Sequence, residues 1–107
     1  MPTEVPLAAQ SHSNLMSTSR GIEGVLYATH EGLPPVGAAM MVRLAFPGEE
    51  SVLADTRVVF HRDPQTGERW PAAGLRFTMA DPKRDALVTR FARLREPTYI
   101  PVELVAR

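Results

Sequence analysis

Three apolar segments bounded by glycine and proline, in a fixed order, constrain this chain more than any other feature. Ser19 to Gly37 reads SRGIEGVLYATHEGLPPVG, and it is followed by TRVVFHR and then by AAGLRFT. Short β-branched and aromatic runs between Gly and Pro predict strands joined by turns. Ten prolines in 107 residues point the same way, toward many connections and short elements rather than a helical bundle. The expectation is one mainly-β domain with a modest core.

Ile22 to Thr29 is the first firm strand, with Ile22, Val25, Tyr27 and Thr29 as its β-branched and aromatic residues. Ala39 to Phe46 alternates, placing Met40, Val42, Leu44 and Phe46 on one face and Met41, Arg43 and Ala45 on the other. After a PGEE turn, Ser51 to Arg62 is long for a strand and changes phase, which predicts a bulge near Asp55. DPQTGER reads as a hairpin loop. Ala73 to Thr78 returns as a short strand with Arg76 facing away from Leu75 and Phe77.

Asp81 and Pro82 suit an N-cap and a first helical position, and Leu87, Phe91 and Leu94 recur at helical spacing, so Asp81 to Arg95 is expected to be a helix. Lys83, Arg84, Arg90 and Arg93 would form its solvated face, with Arg95 in the last turn. Residues 1–17 read as an N-terminal arm in which Val5 to Ala9 would pair with the sheet as an added strand. Residues 18–95 form the body. Residues 96–107 form a tail whose strand character, from Tyr99 to Val105, is confined to an edge by Pro101.

Lys plus Arg and Asp plus Glu balance at 12 each, so there is no global field to hold nucleic acid or an anionic membrane. The absence of cysteine excludes disulfides, thiolate nucleophiles and Cys-type zinc sites, and it is compatible with a reducing, cytoplasmic location. The opening MPTEVPLAAQSHSN has no basic n-region or long apolar core, so no signal peptide is expected, and no apolar run could span a bilayer. His12, His30 and His61 fall in the arm, a turn and a strand end, without a triad motif or the close pairing of a helical metal site. No catalytic residue, metal or cofactor is expected. One local anion cradle stands out: Ser19, Arg20, Gly21 and Gly24 combine a hydroxyl, a cation and two glycines ahead of a strand. Backbone N–H groups and Arg20 would meet an anion there; the same residues also serve as a plain glycine-rich strand entry.

With the strand order in place, the segment from Ser17 to Leu94 resembles the PilZ family of bacterial signalling domains. SRGIEGVLYATHEGLPPVG tracks that family's DxSxxG motif, apolar strand and Pro-Val-Gly turn. MMVRLAFPGEE resembles the strand ending in a Pro-Gly turn, RVVFHR the segment usually ending Val-Val-Trp, and AAGLRFT the glycine-containing strand before the terminal helix, here DPKRDALVTRFARL. The resemblance implies a six-stranded PilZ-type β-barrel with a C-terminal α-helix, a fold that in many members binds cyclic di-GMP. Gly24 keeps the motif glycine, but Ser19 stands where Asp or Asn belongs and Gly21 where Ser belongs. The upstream RxxxR has no counterpart, since Arg20 is the only Arg before Gly21. Two planar cations would each contribute on the order of 1 to 3 kcal/mol to nucleotide binding, so their loss weakens it roughly hundredfold or more.

This pattern is similar to the divergent branch that includes the type IV pilus PilZ proteins, which are similarly short, lack RxxxR and act through protein partners. The implied function is a non-enzymatic adaptor in cyclic di-GMP signalling, type IV pilus or motility control. Its partner would be a bacterial signalling, pilus or motility protein met by the basic helix face with Arg90 and Arg93, the Tyr99 to Val105 tail or an open strand edge. The alternative is a cyclic di-GMP receptor with a rebuilt site, in which Arg20, the backbone from Gly21 to Gly24 and either Arg57 or Arg62 hold the nucleotide.

Overall fold

The computed structural model describes residues 2–7 and 12–105. In chain order the elements are β1 (Thr3–Pro6), β2 (His12–Thr18), β3 (Gly21–Ala28), β4 (Ala39–Ala45), β5 (Val52–Arg62), β6 (Ala72–Phe77), α1 (Pro82–Ala92), β7 (Glu96–Tyr99) and α2 (Val102–Val105). The mainly-β class read from the sequence holds. The seven strands form one mixed sheet in the order β1-β4-β5-β6-β3-β2-β7. Its centre is antiparallel, and only the outermost pairs, β1 with β4 and β2 with β7, run parallel.

A flat sheet of seven strands would be much wider than thick, because neighbours lie about 4.8 Å apart. The molecule instead measures 29 × 28 × 28 Å, so the sheet curls around its own apolar face. Val5, Leu15, Val25, Val42, Leu44, Ala54, Val58, Ala73 and Leu75, one or two from each of β1 to β6, meet inside the curl. The alternation of β4 is preserved there: Val42 and Leu44 are fully buried and Met41 is exposed.

The curl does not close. Among the described residues β1 and β7 are the sheet's two edges and do not pair with each other, which corrects the expected six-stranded barrel. Both are four-residue strands, and Pro6 in β1 and Pro97 in β7 bring no N–H to a ladder. Asn14 reaches across the gap instead, its side-chain amide donating to the carbonyls of Pro6 at 3.2 Å and Leu26 at 3.1 Å. The arm enters the sheet twice, as β1 and β2: of the expected Val5 to Ala9, Val5 and Pro6 pair with β4 and Leu7 N donates to Ala45 O at 2.9 Å, while Ala8 and Ala9 lie outside the described residues.

Helix α1 plugs one end of the curl. Asp81 caps it, accepting from the Arg84 amide at 3.1 Å, and Leu87, Val88 and Phe91 enter the core, where Phe91 meets Phe46 edge-on at 5.7 Å. Three expectations fail here. The helix stops at Ala92 rather than Arg95, because the chain is drawn into the β2 ladder from Glu96. Leu94, expected to continue the helical spacing of Leu87 and Phe91, is consequently 82% exposed. Arg84, expected on the solvated face, is only 5% exposed: it lies one turn before Leu87 and Val88, under the Phe77 ring at 4.3 Å, and donates to Met79 O at 2.7 Å and to Asp85. The helix is also not terminal, since β7 and α2 follow it.

A second apolar cluster covers part of the outer face. Met16, Leu26, Val59, Phe60 and Ala72 are sealed there by Ile100 and Val105 of the tail. Gly74 makes room for it, because a Cβ there would lie 2.3 Å from the Phe60 ring. The β5 bulge falls at Val59, skipped between Val58↔Leu75 and Phe60↔Gly74, rather than near Asp55.

Candidate functional site

Ser19 and Arg20 form the turn between β2 and β3, and Gly21 enters β3 at φ +109°, a backbone that glycine adopts without strain. Glu23 is the extra residue of a second bulge, skipped between Met16↔Gly24 and Ser17↔Ile22. The bulge turns its carboxylate back over the turn. Arg20 grips it with both sides of its guanidinium, Nη2 to Oε1 at 2.6 Å and Nε to Oε2 at 3.1 Å, and the Thr18 hydroxyl donates to Oε2 as well. Thr18 Oγ1 also accepts from the Arg20 amide at 3.1 Å. Burial alone pushes the Glu23 carboxyl up, but the hydrogen bonds from Thr18 and Arg20 and the charges of Arg20 and Arg76 outweigh it, leaving the group below the usual glutamate range.

The candidate anion cradle thus holds a carboxylate from its own chain. Gly24 is occupied differently: a Cβ there would sit 1.9 Å from the Leu75 carbonyl oxygen, so this glycine lets β3 lie against β6. Ser19 is exposed. Of the two further arginines, Arg57 lies level with Gly24 across Arg76 but is engaged elsewhere, and Arg62 lies away from the turn. Arg57 donates to Gly37 O at 2.8 Å, and Arg62, paired with Glu68 at 2.7 Å, sits where β5 meets Ala72, at the other end of β3.

The helix face expected to be basic is largely paired as well. Arg90 binds Glu49 and Lys83 lies 3.2 Å from Glu50, both acids coming from the turn after β4. Arg95 stacks on Phe91 at 4.2 Å. Arg93 stays exposed beside Leu94, and with Ala92, Arg95, Glu96, Pro97 and Tyr99 these residues border a shallow open groove beside β7. Tyr99 is 72% exposed.

Two histidines have structural engagements: His61 Nε2 lies 2.7 Å from Pro34 O, and the His30 ring packs on Trp70 at 5.1 Å. The His12 side chain lies outside the described residues. Among the described residues no three His, Asp or Glu side chains gather as metal ligands, and no helix is long and apolar enough to cross a membrane.

A deeper cavity, about 480 Å³, lies at the end of β3 away from α1, where the sheet fails to close. β1 supplies Val5 and Pro6 to its wall, β3 Leu26, Tyr27 and Ala28, and the β5–β6 loop Arg69 and Trp70. Sequence reading passed over this site because its residues are scattered; the chain's single tryptophan, next to an arginine in a polar loop, was the one local signal. The chain matches no protein-family model, and comparison with curated proteins and with solved structures gives no match either.

Proposed function

We propose that this chain is a non-enzymatic regulatory module of the PilZ type, working by contact with another protein in a cyclic di-GMP, type IV pilus or motility pathway. The observation that carries the reading is the exposure of Leu94 and Tyr99 together beside β7, the last strand of the sheet among the described residues, with Arg93 next to them. Exposed apolar side chains beside an arginine suit contact with a partner protein. The turn between β2 and β3 supports the same reading from the other side, since Glu23 opposes phosphate where Arg20 would have to bind it.

Isothermal titration with cyclic di-GMP, with GTP as control, tests the reading. The expected result is no saturable heat for either nucleotide. Saturable binding selective for cyclic di-GMP, lost on Arg20→Ala, would instead establish the receptor. The contact itself is tested with Leu94→Glu and Tyr99→Glu chains: the parent should capture a protein from its native lysate, and both variants should fold as the parent does and lose that protein. Retention of that protein by both variants removes the β7 edge as the contact.

A further inference from the structure

We propose that the cavity at the open seam of the sheet is a binding site for a small amphiphilic anion, its apolar body inside and its carboxylate or sulfonate against Arg69. The volume, about 480 Å³, is in the range of small-ligand sites. The seam is where both faces of the curled sheet reach the same space, so Val5, Leu26, Tyr27, Ala28 and Trp70 give it a mostly apolar wall.

The polar groups decide the ligand class. On the β2 and β7 side several already serve the fold: the Ser13 hydroxyl donates to Glu96 O at 3.3 Å, and the Thr98 hydroxyl donates to Ser13 O at 3.0 Å. Both donors of the Asn14 amide are taken by Pro6 O and Leu26 O. A ligand that entered with its anionic group leading would find these donors taken and leave its oxygens unpaired, at a cost of about 1–3 kcal/mol each. An apolar body meets no such penalty.

At the mouth the balance reverses. Arg62 is neutralised by Glu68, whereas Arg69 has no carboxylate partner among the described residues and lies over the Trp70 ring at 5.6 Å. Trp70, braced on its other contact by His30, is 42% exposed and offers a flat apolar surface next to that cation. The complement to this arrangement is an aromatic or aliphatic body carrying a single negative charge. Arg20 and the turn between β2 and β3 lie at the other end of β3, so the site is separate from the anion cradle.

The probe is 8-anilinonaphthalene-1-sulfonate, titrated into the full chain with two readouts, probe emission and emission of Trp70, the only tryptophan. One-to-one saturable binding is expected, with Trp70 quenched in parallel. Ala28→Phe, at an exposed position on the wall, should weaken it at least tenfold by filling the space. Arg69→Glu should weaken it comparably while leaving the uncharged N-phenyl-1-naphthylamine unaffected, and Arg93→Glu should change nothing. Urea midpoints equal to the parent's show that each variant is folded; if Ala28→Phe is not, Arg69→Glu alone decides. Non-saturable probe uptake, Trp70 emission that does not respond, or unchanged affinity in Arg69→Glu overturns the proposal.

Discussion

Gly24→Ala separates a structural glycine from a ligand-binding one. The added Cβ would lie 1.9 Å from Leu75 O, 2.8 Å from the carbonyl carbon and 3.0 Å from Arg76 Cα. All three are backbone atoms of β6, so no rotamer change relieves the contact. The oxygen must retreat by more than an ångström, and the ladder of Gly24↔Arg76 and Val25↔Leu75 opens with it. Two or three backbone hydrogen bonds at about 0.5–1.5 kcal/mol each and an overpacking cost of about 1–3 kcal/mol outweigh the gain of about 0.5–1 kcal/mol from replacing a strand glycine by alanine. The net loss is about 3 kcal/mol, a large share of the roughly 5–15 kcal/mol that holds a small domain. With a urea slope of about 1–1.5 kcal/mol/M, the midpoint followed by Trp70 emission falls by about 2–3 M. Gly21→Ala is the comparison, since a Cβ there meets open space and pays only for φ +109°, about 1–2 kcal/mol. A Gly24→Ala midpoint within about 0.5 M of the parent, or a larger loss for Gly21→Ala, would refute the close-approach argument.

Three further outcomes are expected. The Glu23 carboxyl is held below its ordinary range when folded, so its contribution is complete above the unfolded pKa of about 4.3 and is lost as pH falls through the lower folded value; urea midpoints of the parent and Glu23→Gln should differ at pH 7 and converge in acid, and a gap that widens in acid contradicts the linkage. Arg84→Ala removes a buried guanidinium packed under Phe77 and leaves Met79 O without its donor, at a cost of about 2 kcal/mol or more by chemical denaturation; a change within about 0.5 kcal/mol would show that the residue behaves as surface. Gly74→Ala meets the Phe60 ring rather than backbone, so its cost should be about 1–3 kcal/mol and should largely disappear in the Gly74→Ala/Phe60→Leu pair, measured as a double-mutant cycle.

The interior of the sheet was legible because β3 to β6 carry their own signal: alternation in β4, β-branched residues in β3 and β5, and Gly-Pro punctuation between them. The edges were not, because β1 and β7 are four-residue strands whose pairing is set by what lies beside them. Leu94 illustrates the conflict. It continues the helical spacing of Leu87 and Phe91, but the ladder between β7 and β2, extended by Ile100 N to Ser17 O at 2.8 Å, takes the chain out of the helix first. Arg84 carries a signal in the same stripe: its place beside Leu87, Val88 and Phe91 outweighs its charge once Phe77 and Met79 O receive it. At the candidate anion site the residue types were seen but not the Glu23 bulge, since a skipped residue in a register depends on the partner strand.

The Asn14 bridge has a consequence for how the molecule breathes. Among the described residues β1 is held by a short ladder to β4 on one flank, by the Asn14 amide on the other and by Val5 in the core, with no second ladder to cooperate with. Detaching it is a sub-global opening that leaves β3, β5 and β6 intact, so its amides should exchange with solvent well before those of the central strands. Asn14→Ala should raise that exchange rate at β1 more than at the central strands. The same opening would free the β4 edge that β1 covers, making the first strand a natural segment for two copies to trade.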